Sequence, residues 1–167
     1  RAPENGRPVP GGMVNAVRAH GLARPKGGEE AETAWEATVK AVAMAEARNV
    51  PMVIIPSFRG SAIEDDADLE RTAAFLRKAG DYLRARGGGV ALVTENVLAP
   101  DRMRALQRLA GLPEVRLYLD SFNYAFWRGM SLPAMLDELL PLAVNEIHFK
   151  DGTEQNTGSK LLGRGMG

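Results

Sequence analysis

Two carboxylates and one imidazole stand at or next to the ends of three apolar, strand-like runs of this chain. The runs cover residues 90–95, 115–120 and 144–149, and their polar side chains are Glu95, Asp120 and His148. Such groups are costly to bury unless they are paired, hydrogen-bonded or bound to a metal. Carboxylate oxygens with one imidazole nitrogen suit Mn²⁺, Mg²⁺, Co²⁺ or Zn²⁺ better than a soft-metal centre. The three side chains therefore predict a divalent-metal site.

The spacing of these side chains supports that interpretation. They lie 25 and 28 residues apart, about the length of one strand–helix unit. In a parallel α/β sheet or barrel, the carboxyl ends of the strands converge on one face, where active sites lie. Taken singly, Glu95 could be a loop acid, Asp120 could be satisfied by backbone N–H groups, and His148 could be a core histidine. Their shared position on three consecutive runs favours the metal site.

The runs belong to an alternating pattern of helices and strands. Apolar periodicity predicts helices over 29–49, 65–86, 101–110 and 131–140, and a further buried strand over Met52–Ile55. The second helix has an apolar stripe made of Leu69, Ala73, Leu76, Ala79 and Leu83.

Short apolar strands between helices are typical of a parallel sheet covered by helices. Four strands fit a small open sheet or part of an eight-stranded barrel. Because a whole barrel needs about 250 residues, the length alone favours the open sheet.

Composition excludes several classes of protein. The 21 basic and 21 acidic residues balance, so net charge gives no reason to expect a nucleic-acid or membrane partner. The chain has no cysteine, which excludes disulfides and thiolate chemistry. No apolar run approaches the roughly 18 residues of a membrane span. Residues 1–10 lack the apolar stretch of a signal peptide, so a cytoplasmic location is expected.

Aromatic residues crowd the stretch after Asp120, which is predicted to be a loop. They are Phe122, Tyr124, Phe126 and Trp127. Two interpretations are open: an apolar wall for a sugar ring, or a cluster that packs a helix.

Four short motifs carry a resemblance to a known family. They are Thr-Glu-Asn at 94–96, Leu-Asp-Ser-Phe-Asn at 119–123, Ile-His-Phe-Lys-Asp-Gly at 147–152 and Gly-Arg-Gly at 163–165. At these residues the chain resembles the sugar phosphate isomerase/epimerase superfamily, the xylose isomerase-like TIM barrels that also include endonuclease IV. The resemblance implies a (β/α)₈ barrel, of which this chain supplies about strands four to seven. Residues 29–167 would form this partial barrel domain, and residues 1–28 a partly ordered loop or lid segment.

The resemblance also implies roles for the three polar side chains. Glu95, Asp120 and His148 fall on three of the four usual ligands of one divalent ion. Mn²⁺ is the expected ion, with Mg²⁺, Co²⁺ or Zn²⁺ as alternatives. The fourth ligand of the family, a glutamate on the last strand, has no counterpart in this sequence. Glu95 would also be the catalytic base.

Three further residues are predicted to contact the substrate. Asn123 stands where many members of the superfamily carry a histidine. An amide can hydrogen-bond a substrate but cannot shuttle a proton near neutral pH. Arg164 would contact a distal hydroxyl or phosphate, with a flexible exposed tail as the alternative. Lys150 is also assigned to the substrate, with an ion pair to Asp151 as its alternative.

The predicted function is that of a divalent-metal-dependent isomerase or epimerase in carbohydrate metabolism. Its substrate would be a sugar, sugar phosphate or polyol-derived ketone, and its chemistry proton transfer through a metal-stabilised enediolate. A metal-dependent dehydratase, which is a lyase, and a non-catalytic barrel subunit stay open as alternatives. Phosphodiester cleavage is disfavoured because the chain has two histidines and no net charge. The partner would be a small carbohydrate, with no nucleic acid or membrane, and a homo-oligomer is an open alternative.

Overall fold

Five strands form one parallel sheet in a computed structural model of the chain, which describes residues 9–23, 27–112, 114–149, 151–153 and 156–159. The strands are β1 (Gly12–Met13), β2 (Met52–Pro56), β3 (Ala91–Glu95), β4 (Arg116–Asp120) and β5 (Ala143–His148). They lie side by side in chain order, and every neighbouring pair is parallel. Helices connect the successive strands. This is the repeating unit of a (β/α) barrel wall.

Six α-helices accompany the sheet within the described residues. They are α1 (Ala16–His20), α2 (Gly28–Ala47), α3 (Asp66–Ala85), α4 (Pro100–Ala110), α5 (Ser121–Arg128) and α6 (Leu132–Glu138). The four predicted helices correspond to α2, α3, α4 and α6. Near the end of the chain, β6 (Asp151–Thr153) and β7 (Asn156–Ser159) pair as an antiparallel hairpin. Within the described ranges, no helix has both the length and the apolar character needed to cross a membrane.

Three elements of the parallel sheet and its helices differ from the predicted pattern. The stretch after Asp120 is the helix α5 and not a loop. Asp120 is its N-cap, and its side chain accepts a hydrogen bond from the Asn123 backbone. Strand and helix therefore join with no turn residues between them. The other two elements, β1 and α1, lie within residues 1–28, where two and five ordered residues give no readable period.

The two faces of the sheet bury different residues. The face toward the helices carries the main core, which includes Val53, Ile55, Leu92, Leu117 and Leu119. The opposite, inner face carries a smaller cluster of Met52, Ile54 and Val93, with Met13, Tyr118 and Val144 packed against it. Successive side chains of a strand point to opposite faces. Glu95 and Asp120, two residues after Val93 and Tyr118, therefore belong to the inner face.

The helix α3 anchors the outer layer through the stripe predicted for it. All five residues of that stripe are at most 5% exposed. Fully burying a leucine side chain contributes about 1.5–3 kcal/mol to the free energy of unfolding. Leu76, which is fully buried, therefore supplies a substantial part of that free energy. The helix begins at the N-cap Asp65, whose side chain accepts from the backbone N–H of Asp68 at 2.8 Å. Buried along this stripe, α3 packs against β3 and α4.

Candidate active site

Glu95, Asp120 and His148 are the last residues of three adjacent strands, β3, β4 and β5. In the register between β4 and β5, Asp120 lies opposite His148. Each of the three side chains offers a ligand atom, and these atoms all lie within 4.8 Å of one another. The structure thus brings together the three residues predicted to form a metal site.

Asp120 is held by a hydrogen bond to one oxygen and faces His148 with the other. The residue is fully buried. Its Oδ1 accepts a hydrogen bond from the backbone N–H of Asn123 at 2.9 Å. Its Oδ2 lies 3.2 Å from Nδ1 of His148. Because the first contact caps α5, the start of that helix fixes the direction in which the carboxylate faces the site.

Glu95 is held by the same turn of α5. Its side chain is buried, with 4% of the residue exposed. The Nδ2 of Asn123 donates a hydrogen bond to its Oε1 at 3.2 Å. On the other side, the backbone N–H of Ser57 donates to its carbonyl oxygen at 2.8 Å. Asn123 therefore serves the site through both its backbone, which binds Asp120, and its side chain, which binds Glu95.

His148 is the solvent-exposed member of the triad. Its side chain is 48% exposed, whereas that of Asp120 is 0% exposed. Its ring centroid lies 6.1 Å from that of Tyr118. Burial raises the pKa of Tyr118, and the negative charges of Glu146, Glu95 and Asp120 raise that pKa further. The Tyr118 phenol therefore keeps its proton near neutral pH, and it borders the site as a neutral group.

The donor set fits a hard divalent cation. Two buried carboxylates so close together repel each other, and their burial is costly without a compensating positive charge. A divalent cation among the three side chains would balance both carboxylates. Oxygen-rich ligands with one imidazole are compatible with manganese, magnesium, cobalt and zinc. The donor set alone therefore supports a divalent ion without selecting one.

A cleft of about 620 Å³ opens beside the triad. Its lining is Met13, Arg18, Phe58, Arg59, Glu95, Phe122, Asn123, Trp127 and His148. This volume lies in the usual range of small-molecule sites. Glu95 and His148 of the triad are part of its wall, so a bound molecule can touch the reactive groups directly.

The aromatic stretch after Asp120 divides between the cleft and the core. Phe122 and Trp127 line the cleft, and Trp127 is 64% exposed. Tyr124 is fully buried in the main core, and its hydroxyl donates to the Leu98 carbonyl at 3.0 Å. Tyr124 thus packs the helix against the core, as one interpretation expected, whereas a sugar ring against Phe122 and Trp127 stays a prediction.

The loop after β3 is fixed by Asn96. Its side chain is buried, and its Oδ1 accepts from the backbone N–H of Leu98 at 3.0 Å. Tyr124 bonds the carbonyl of Leu98, which ties this loop to α5. In the Thr-Glu-Asn motif, Glu95 therefore faces the site while Asn96 holds the loop.

The predicted substrate contacts have different outcomes. Asn123 lies in the cleft wall. Lys150 and Arg164 lie outside the described residues. Sequence reasoning missed the part of the wall that follows β1 and β2, namely Arg18, Phe58 and Arg59. No comparable signal marked them: Glu95 ends its own strand, whereas Arg59 lies three residues after the end of β2.

Comparisons with known proteins agree with this architecture. A family model described as a xylose isomerase-like TIM barrel matches residues 5–167. A curated relative from Actinoplanes sp., named 2-epi-5-epi-valiolone 7-phosphate 2-epimerase, is 45% identical over 118 residues. The matched region is 71% of this chain and 43% of that relative. The match therefore covers less than half the length of the relative.

Proposed function

This chain belongs to the xylose isomerase-like TIM barrel family, and from that premise we propose that it is a metal-dependent isomerase or epimerase. Its five parallel strands are part of the barrel, so the small open sheet favoured by length alone is not its fold. The epimerase name of the 45% identical relative supports an isomerase- or epimerase-type enzyme. The proposed substrate is a sugar, sugar phosphate or cyclitol ketone that exchanges a proton next to its carbonyl group.

The residues that would hold the divalent ion are Glu95, Asp120 and His148. Their convergence within 4.8 Å is the observation that carries the proposal. Mn²⁺ is the ion proposed, with Mg²⁺, Co²⁺ and Zn²⁺ as the ions to compare. Such an ion supplies positive charge beside a ketone oxygen and so makes the neighbouring C–H more acidic.

Glu95 is the proposed base that removes the proton from the carbon next to the carbonyl group. It lines the cleft, and the hydrogen bond from Asn123 fixes the direction of its carboxylate. Return of the proton to the opposite side of the same carbon gives an epimer. Return to the neighbouring carbon, with a shift of the carbonyl group, gives a ketose–aldose isomer. The position of the group that returns the proton therefore decides between the two reactions.

The aromatic wall of the cleft suits the carbon face of a ring. Trp127 presents exposed apolar surface there, with the buried Phe122 behind it, while Asn123, Glu95 and His148 supply the polar contacts. Binding sites for small molecules combine an apolar lining with a few placed polar groups in this manner. The wall would exclude water from one side of the substrate and leave its hydroxyl groups toward the polar side.

The test is exchange of the substrate proton with solvent. The full-length protein is incubated with Mn²⁺ in D₂O, and a panel of ketoses, their phosphates and the cyclitol ketone phosphate named for the relative is offered. After removal of the paramagnetic ion, proton NMR measures deuterium entry next to the carbonyl group. We expect exchange and a second epimer or isomer with the wild type and with Glu138→Gln, an exposed control. Glu95→Gln should lose both.

Other results would point to the alternatives. A product that has lost water would replace the proposal by the dehydratase. A folded protein that binds the ion but exchanges no proton of any substrate would support the non-catalytic barrel. The cytoplasmic location expected from the sequence stays a prediction.

A further inference from the structure

Two arginines line the active-site cleft on the side of β1 and β2, whereas the proposed metal ligands lie on the side of β3, β4 and β5. Arg18 belongs to α1, which follows β1, and Arg59 belongs to a 3₁₀ turn that follows β2. The proposed metal ligands end β3, β4 and β5. Arg18, Arg59, Glu95 and His148 all line the same cleft of about 620 Å³. A single small molecule can therefore contact both groups of side chains.

The two elements that carry the arginines are tied to each other. Ser61 is fully buried, and its Oγ accepts from the backbone N–H of Leu22 at 2.8 Å and donates to the Val17 carbonyl. Gly60 packs against the backbone of α1, since a Cβ at this position would lie 3.3 Å from the Arg18 carbonyl oxygen. These contacts fix the positions of the two arginines relative to each other before a ligand binds.

Neither guanidinium is compensated within the part of the chain that the structure describes. Neither makes a hydrogen bond or ion pair there, whereas Arg71, Arg84 and Arg86 each pair with a carboxylate. The Nε of Arg18 is buried without a hydrogen-bond partner among those residues. A buried polar group of this kind calls for an explanation such as a ligand.

The backbone of Arg59 is a second, independent observation. Its φ of +55° lies in the left-handed region, which is uncommon for a residue with a side chain. Residues held in such conformations cluster at ligand-binding sites. Glycine adopts this conformation at lower steric cost, yet the turn carries an arginine at this position.

The charge of the cleft identifies the ligand. A divalent ion would cancel the two carboxylates of Glu95 and Asp120, which leaves two positive charges from the arginines in the lining. A phosphate monoester carries about −1.5 to −2 near neutral pH, and arginine binds phosphate through paired N–H donors. We propose that Arg18 and Arg59 form a phosphate subsite, which binds a substrate phosphorylated away from its reacting carbonyl group. This inference rests on the proposed function for the placement of that carbonyl group.

The test measures binding of inorganic phosphate to the full-length protein by calorimetry in the presence of Mg²⁺. Arg18→Gln and Arg59→Gln are compared with the wild type and with Arg104→Gln, an exposed arginine of α4 outside the cleft. A hydrogen bond to a charged group is worth about 1.5–3 kcal/mol, so each cleft variant should weaken binding roughly tenfold or more. Arg104→Gln should bind as the wild type does.

A further variant separates loss of the subsite from loss of the fold. Arg59→Gly removes the guanidinium and adopts the same positive φ without steric cost, so its free energy of unfolding should stay close to that of the wild type while phosphate affinity is lost. Equal affinity in all variants would mean that phosphate binds elsewhere, and the proposal would be wrong. Absence of binding to the wild type would overturn it as well.

Failure of the subsite and failure of the proposed enzyme are distinguishable. Arginine-dependent phosphate binding without any proton exchange would retain the subsite and reject the enzyme. Proton exchange in an unphosphorylated ketone, with a KM equal to that of its phosphate and unchanged in Arg18→Gln, would retain the enzyme and reject the subsite.

Discussion

Asp120 combines two roles in one buried side chain. One oxygen caps α5 through the backbone of Asn123, and the other faces His148. Asparagine and aspartate are about equally good N-caps, but an amide is a far weaker ligand for a cation than a carboxylate. A substitution at this residue can therefore separate folding from metal binding.

Asp120→Asn should keep the fold and lose the metal. With chelator present, we expect its free energy of unfolding in urea to stay within about 0.5 kcal/mol of the wild type, whereas Asp120→Ala should lose about 1 kcal/mol with the cap. Calorimetric titration with Mn²⁺ should show at least a roughly tenfold loss of affinity in both variants. Wild-type affinity in Asp120→Asn would remove Asp120 from the ligand set.

Asn123→Ala tests whether the hydrogen bond to Glu95 matters for catalysis. The backbone N–H at position 123 still caps α5, so stability should change little. Loss of a hydrogen bond to a charged group, worth about 1.5–3 kcal/mol, should lower kcat roughly 10- to 100-fold. Steady-state kinetics on the substrate found by proton exchange measures this effect. The control is Asn145→Ala, an exposed asparagine of β5, and equal kcat in the two variants would contradict the role given to Asn123.

Single residues of the site were predictable from the sequence where their residue type is unusual for the position. A carboxylate or imidazole that closes an apolar run is unusual, and Glu95, Asp120 and His148 were predicted on that basis. Arg18 and Arg59 were not predicted, because arginine is common throughout a chain with 21 basic residues. Only the tertiary structure shows that these two line the same cleft as the triad.

The helices and strands that position the site differ in how clearly the local sequence pattern predicts them. The stripe of α3 recurs at helical spacing, and it predicted both the helix and its buried face. The helix α5 begins at the last residue of β4, so no glycine or proline signals the change from strand to helix. The strand β1 has two residues and takes its place by pairing in parallel with β2, a contact that no local pattern encodes.

Ser61→Ala should loosen the elements that carry the two cleft arginines. It leaves the buried N–H of Leu22 without its acceptor, which costs about 1–3 kcal/mol, and urea unfolding measures that loss. Phosphate affinity should fall as well, because α1 and the 3₁₀ turn would no longer be joined. Thr33→Ala, which removes an exposed hydroxyl within α2, should stay within about 0.5 kcal/mol of the wild type. An effect no larger than that of the control would refute this account of Ser61.

At the scale of the whole molecule, metal-competent side chains and anion-binding arginines lie at the same end of one parallel sheet. The metal-competent triad stands at β3–β5 and the arginines stand after β1 and β2, with the small inner cluster of apolar residues on the same face of the sheet. Parallel strands make this arrangement possible because all their carboxyl ends reach the same edge. The sheet was predictable from the apolar runs, but its being part of a barrel was not, since chain length argued for an open sheet and only the family motifs argued against it.

The most direct test of this account is the metal content of the full-length protein. The protein is equilibrated with Mn²⁺, Mg²⁺, Co²⁺ or Zn²⁺, freed of unbound ion and analysed for bound metal, beside His148→Ala and His20→Ala. The chain has two histidines, so His20, outside the triad, is the matched control. We predict about one tightly bound ion per chain in the wild type and in His20→Ala, and its loss in His148→Ala. A folded wild type that binds no ion, or a His148→Ala variant that keeps it, would contradict the account.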